Sequence, residues 1–229
     1  MFQQITNDNL HRELKDRFIN ELFDIPQKAF YLCAMNQIES DIVESDFVRE
    51  QTLALLANEI KRKNVNGDVA ELGVFRGDFS KKINKIFPDK MLYMFDTFEG
   101  FDKTDIRNDI TLDWGEVLGK FDNTNVNAVL NMMPNPKQCV IKKGFFPDTF
   151  DLENVKFSFV SIDVDLYDPI KGGLEIFYPL LEQGGYIMVH DYNNIVYKGT
   201  RDAVIDYCDQ NGITYIPIPD IAGSVIIAK

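Results

Sequence analysis

Apolar positions along the chain follow two different periods, and the change between them divides it. Over the first 66 residues they recur at helical spacing. "NLHRELKDRFINELF" (9–23) carries one apolar stripe, and "SDFVREQTLALLANEIKRK" (45–63) opens with the potential caps Ser45 and Asp46 and closes in a basic turn. From residue 68 short apolar runs alternate with helical stretches. The pattern predicts strands "DVAEL" (68–72), "MLYMF" (91–95), "CVIKK" (139–143), "FSFVSID" (157–163), "YIMVH" (186–190), "ITYIPI" (213–218) and "SVIIAK" (224–229). Helices are expected over 78–87, near 124–133, over 169–181 and over 199–210.

Alternating strands and helices imply a parallel sheet covered by helices on both faces. The end of the chain breaks the alternation. "ITYIPI" and "SVIIAK" are separated only by "PDIAG", too short for a parallel crossover, so the last strand must run antiparallel to its neighbour. The expected architecture is α/β: a doubly wound, seven-stranded, mostly parallel sheet with an antiparallel last strand, over 67–229, preceded by a helical extension over 1–66. The all-parallel, six-stranded dinucleotide fold has a different signature. The polar, irregular stretch 98–122 reads as a loop near a site.

With 229 residues, 45% apolar and 12% aromatic, the chain can bury one substantial core. No apolar run approaches the roughly 18 residues of a membrane span, and "MFQQITNDNLHRELKDRF" lacks the apolar centre of a signal peptide, so a cytoplasmic protein is expected. Cys33, Cys139 and Cys208 are far apart and form no C-x-x-C pattern, which suits free thiols in a reducing compartment. A formal net charge of -12 repels nucleic acid and favours a cation or a small ligand carrying positive charge.

Two stretches carry candidate chemistry. "VAELGVFRGDFS" (69–80) runs from a strand through a turn with Gly73 and Gly77 into a helix, at the sheet edge where such folds bind ligands. It is not G-x-G-x-x-G, and Glu71 disfavours a pyrophosphate; a carboxylate there suits an ammonium or sulfonium ligand such as S-adenosylmethionine. An ordinary tight turn is the alternative. Asp96 ends the next strand, 23 residues beyond Gly73, near the spacing at which a carboxylate accepts hydrogen bonds from a ribose diol; a helix N-cap is the competing role.

The second stretch is "FVSIDVDLYD" (159–168), an apolar run that ends among Asp163, Asp165 and Asp168. The following strand ends in His190 and Asp191. If the two strands are neighbours, Asp163, His190 and Asp191 share one edge with the glycine turn, and their oxygen-rich donors suit a divalent cation, magnesium best. Such an ion would hold an acceptor and acidify its hydroxyl. His190 reads equally as a structural residue, a general base or a ligand, and Asp165 and Asp168 as solvated acids or helix caps.

Together "GDVAELGVFRGDFS", "LYMFDTFEGF", "IKKGFFPDTF", "SIDVDLYDPIKGGLEIFYPLLEQGGYIMVHDYNN" and "GTRDAVIDYC" resemble the macrocin O-methyltransferase family (TylF type), from about residue 40 to the end. The resemblance implies a class I S-adenosylmethionine-dependent methyltransferase of sugar hydroxyls, a small-molecule or glycan acceptor, and assembly as a homodimer or larger. It also implies magnesium held by acids at the two strand ends, Asp163 being the first acid of the D-x-D pair; an Asp-Asp pair falls here on His190 and Asp191. The reading that follows is O-methyl transfer with Glu71, Gly73, Gly77 and Asp96 on the cofactor and Asp163 or His190 taking the proton. Metal-free methylation with His190 as base, and a cofactor-binding module without catalysis, are the alternatives.

Overall fold

In a computed structural model of the chain, the described residues are 46–101, 121–194 and 197–229; the expected helix over 9–23, Cys33 and most of the 98–122 loop lie outside them. The element order is α1 (Phe47–Arg62), β1 (Asp68–Leu72), α2 (Asp78–Ile86), β2 (Leu92–Asp96), α3 (Val126–Met132) and β3 (Cys139–Lys143). It continues with β4 (Phe157–Ile162), α4 (Tyr167–Leu180), β5 (Leu181–Val189), α5 (Gly199–Asn211), β6 (Tyr215–Ile218) and β7 (Ser224–Ala228). The strands form one sheet in the order β3-β2-β1-β4-β5-β7-β6. All pairs are parallel except those of β7, which runs antiparallel to both β5 and β6, as the short "PDIAG" connection requires.

Side chains alternate between two helical layers. Ala70, Leu72, Val160 and Ile162 pack beneath α4 and α5 against Leu174, Phe177 and Val204. Val69, Met94, Phe159 and Met188 face the other way, onto Leu53, Ala57 and Ile60 of α1 and Ile83 of α2. Helix α1 is therefore part of the same core as the sheet. Strand β4, in the middle, is buried at every position, which is why "FSFVSI" shows no polar alternation.

Two elements begin earlier than periodicity marks. Strand β5 starts at Leu181, through "LEQGG", where Gly184 takes φ +84 and the register with β4 shifts; such residues carry no apolar signal. Helix α4 starts at Tyr167, two residues before Pro169, because a proline in the first turn costs no helical hydrogen bond.

The register sets the site. Leu72 pairs with Phe95 on one side and Ile162 on the other, and Ile162 pairs with Val189. The next residues, Asp96, Gly73, Asp163 and His190, thus form a row along the carboxyl edge. The strand order reverses between β1 and β4, and at that switch point such sheets open a crevice.

Candidate active site

Gly73 leaves β1 with φ +88, and its N–H donates to the Phe95 carbonyl at 2.9 Å. A Cβ at this position would lie 1.9 Å from the Asp163 carbonyl oxygen, so the glycine is what lets the ends of β1 and β4 approach. Gly77, with φ +82, is the N-cap of α2, and a Cβ there would meet Val129 Cγ1 at 2.8 Å. Between them the turn is held by Asp96, whose Oδ2 accepts from the Val74 and Phe75 amides at 2.7 and 2.8 Å. Asp96 Oδ1 accepts from the Phe98 amide at 2.6 Å. The carboxylate is a turn clamp at the edge of the cavity, and no helix begins at Asp96 for it to cap.

Glu71 is 1% exposed and turns toward α2, where the Ser80 hydroxyl donates to its Oε2. Burial pushes its carboxyl up to about 8, with the Ser80 hydrogen bond opposing. In the undisturbed cavity near neutral pH this side chain is mostly a neutral acid.

The acidic strand ends meet as the register requires. The Asp163 amide donates to the Leu72 carbonyl at 2.8 Å, and the His190 amide to that of Ile162 at 2.9 Å. Nδ1 of His190 lies 3.2 Å from Asp163 Oδ1 and 3.0 Å from Asp191 Oδ2. Asp191 Oδ1 accepts from Asn194 Nδ2 at 2.7 Å. His190 Nε2 is 3.6 Å from Asp46 Oδ2. Burial alone would lower the imidazole pKa, but the Asp163 charge and the hydrogen bonds to Asp163 and Asp191 outweigh it and push it up to about 12. Burial likewise acts to raise Asp163, yet Arg49 and His190 hold it well below the usual carboxylate range.

Arg49 is the functional residue that the sequence reading lacked. From the first turn of α1 it donates from Nη1 to Asp163 Oδ2 at 2.9 Å and from Nη2 to Ser161 Oγ at 3.3 Å. Its guanidinium lies over the Phe79 ring, 3.8 Å from the centroid. Asp46 caps this helix, Oδ1 accepting from the Arg49 amide at 3.2 Å. Asp165 does not cap α4, whose N-cap is Leu166: it takes φ +60, is half-buried and lines the cavity. Burial, followed by the charges of Asp191 and Asp163, raises its carboxyl well above the usual range. Asp168 lies in the first turn of α4.

The glycine turn and the acidic row line one cavity of about 380 Å³, the size of a small-molecule site. Phe75, Phe101 and Phe121 form its aromatic wall, with edge-on contacts of 5.1 Å between Phe75 and Phe121 and between Phe101 and Phe121.

The same geometry bears on the divalent cation that the resemblance implies. Asp163, His190 and Asp191 each offer one donor atom within 4.8 Å of the others. Yet each oxygen of Asp163 already accepts a hydrogen bond, Oδ1 from His190 and Oδ2 from Arg49, and the His190 Nδ1 that donates between two carboxylates has no lone pair to give. As arranged, the residues do not fit a hard cation, which demands several oxygen ligands with open lone pairs.

Comparison with known proteins follows the same lines. The chain is 29% identical over 169 residues to a Mycinamicin III 3''-O-methyltransferase from Micromonospora griseorubida, a match covering 67% of this chain and 65% of that protein. It thus spans about two thirds of that relative's length. It is 26% identical over 189 residues, 77% of this chain and 70% of the relative, to an 8-demethyl-8-(2,3-dimethoxy-alpha-L-rhamnosyl)-tetracenomycin-C 4'-O-methyltransferase from Streptomyces olivaceus. Among solved structures, the O-methyltransferase NovP superposes with a TM-score of 0.65 at 22% identity, covering 80% of each chain. The calicheamicin methyltransferase CalS11 superposes with a TM-score of 0.67 at 16% identity, covering 100% of this chain and 94% of that one; these two likenesses concern the fold. The profile of the family described as Macrocin-O-methyltransferase (TylF) matches residues 47–227, from the first residue of α1 into β7, and the chain belongs to that family.

Proposed function

We propose that the protein is an S-adenosylmethionine-dependent O-methyltransferase acting on a sugar hydroxyl of a natural product or glycan. The observation that carries this reading is the convergence of two groups on one cavity: the turn from Glu71 to Arg76 with Asp96, and the row formed by Asp163, His190 and Asp191. The cofactor lies along the turn, with its ammonium beside Glu71 and its ribose beside Asp96. The sulfonium methyl then faces the strand ends, where the acceptor hydroxyl is held by Asp163.

Methyl transfer from a sulfonium is an in-line displacement, so alignment supplies most of the acceleration. In the reaction the acceptor oxygen forms a bond to the methyl carbon, the carbon–sulfur bond breaks, and the hydroxyl proton passes to a carboxylate. Asp163, kept ionised by Arg49 and His190, accepts the hydroxyl's hydrogen bond and fixes its direction. His190 is charged in this arrangement, which suits orientation of Asp163 better than general-base chemistry. The aromatic wall of Phe75, Phe101 and Phe121 suits the apolar face of a sugar ring or an attached aglycone. The relatives' names, one an O-methyltransferase of mycinamicin III and the other of a rhamnosyl-tetracenomycin, support the acceptor class.

The test is transfer of a labelled methyl group from S-adenosylmethionine to a panel of glycosides with free ring hydroxyls. Transfer to at least one, lost in Asp163→Asn, is expected. A protein that binds the cofactor and methylates none of them would overturn the enzymatic reading in favour of a binding module.

A further inference from the structure

We propose that Arg49 takes the place of a divalent cation in this site, so that the protein binds its cofactor and orients its acceptor without a metal ion. The acceptor's part in this rests on the methyltransferase reading above; the metal's part does not.

Three observations carry it. Arg49 cannot swing aside: it is 6% exposed, stacked on Phe79 at 3.8 Å, and bonded through separate nitrogens to Asp163 and Ser161. It also occupies the inward face of α1, four positions before the buried Leu53, so the helix that delivers it is fixed by the core. A guanidinium built in this way is a permanent charge beside the carboxylate an ion would need.

Secondly, His190 Nδ1 sits between two carboxylate oxygens, at 3.2 Å from Asp163 and 3.0 Å from Asp191. Carboxylates only accept, so the nitrogen between them carries hydrogen and has no lone pair for a metal. Thirdly, every oxygen of the two strand-end carboxylates, Asp163 and Asp191, is already engaged by one hydrogen bond, from Arg49, His190 or Asn194. A magnesium ion needs about six oxygens at close to 2.1 Å, and here it would have to displace a guanidinium and a proton together.

Arg49 thereby acts on the reaction through Asp163, as a positioning residue: it fixes one oxygen of that carboxylate and leaves its orientation toward the cavity set by His190 on the other. Positive charge near the acceptor oxygen, which an ion would otherwise supply, comes from the protein itself.

Mn²⁺ provides a spectroscopic stand-in for magnesium. The amplitude of the free-ion paramagnetic resonance signal is followed as Mn²⁺ is titrated into the intact protein, with and without S-adenosylhomocysteine, and Asp163→Asn serves as the baseline for ions on the acidic surface. The wild type is expected to take up no more Mn²⁺ than Asp163→Asn. Uptake of one ion per chain that Asp163→Asn abolishes would overturn the proposal.

The double variant R49M/H190D restores an oxygen donor and removes the guanidinium, and it is expected to gain at least about tenfold in Mn²⁺ affinity. A folded double variant that gains nothing would overturn the assignment of Arg49 as the group that keeps the ion out. R49M alone gives the same reading if the double variant does not fold. S-adenosylhomocysteine binding is measured by calorimetry on the same samples: its absence from the wild type defeats the methyltransferase reading and leaves the Mn²⁺ result standing on its own.

Discussion

Arg49 and Asp163 lie 114 positions apart in the chain and meet at 2.9 Å on the carboxyl edge of the sheet, tying the first turn of α1 to the end of β4. Removing one member of such a pair strands the other. Asp163 keeps 24% of its side-chain exposure toward the cavity, so the loss in Arg49→Met is expected near the low end for buried pairs, about 3 kcal/mol. Arg49→Lys preserves charge but cannot reach both Asp163 and Ser161, and it should recover only part of that loss. Urea denaturation of the single variants, and of Arg49→Met combined with Asp163→Asn, measures the coupling.

Stability is expected to peak in mildly acid solution. The folded pKa of His190 is raised, so its contribution is complete below the unfolded value of about 6.5 and is lost as pH climbs toward about 12. Glu71 is also raised, to about 8, and its contribution fades between about pH 4.5 and 8. Asp163 is lowered, so its contribution is present above about pH 4 and disappears on further acidification. Each raised group gives a decline of up to about 1.4 kcal/mol per pH unit within its own window. Unfolding midpoints from pH 4 to 9 check this: Glu71→Gln should flatten the lower part of the decline and His190→Gln the upper part.

Cofactor binding near pH 7 is expected to release a proton. Glu71, mostly neutral when buried beside Ser80, becomes a carboxylate once the cofactor's ammonium supplies a counter-charge. Calorimetry of S-adenosylhomocysteine binding in buffers of different ionisation enthalpy reads the number released. Close to one proton in the wild type and close to none in Glu71→Gln is the expected pattern.

Asp96 does two jobs that substitutions can separate. Its hydrogen bonds to the Val74, Phe75 and Phe98 amides hold the turn, and its position at the cavity edge puts it beside the ribose in the proposed complex. Asp96→Ala should cost about 3 kcal/mol of stability, because charged hydrogen bonds are lost and amides are left without acceptors. Asp96→Asn keeps one acceptor oxygen for the turn, so most stability should remain while S-adenosylhomocysteine affinity drops about tenfold or more. Denaturation and calorimetry on the two variants decide it.

What the sequence revealed and what it concealed have physical reasons. The row Asp96, Gly73, Asp163 and His190 was legible because each residue ends a short apolar run, and parallel strands bring such ends to one edge. The antiparallel ending was legible from the length of "PDIAG". Arg49 was not, since a charge in the first turn of an amphipathic helix ordinarily faces solvent. The signal lay in its spacing: Arg49, Leu53, Ala57 and Ile60 form one buried stripe, and a charge on such a stripe demands a buried partner. The role of Asp165 was hidden because Pro169 suggested a later helix start, whereas α4 begins at Tyr167 and leaves Asp165 in the turn at the cavity.

In the proposed complex S-adenosylmethionine fills the cavity beside the Gly73 turn. Titration calorimetry with S-adenosylhomocysteine, on the intact protein in the presence of a chelator, tests it most directly. One site per chain is expected, with binding lost in Gly73→Val, whose side chain would collide with the Asp163 backbone, and weakened in Asp96→Asn while that variant stays folded. A folded wild type that shows no binding, or binding that Asp96→Asn leaves unchanged, would contradict it.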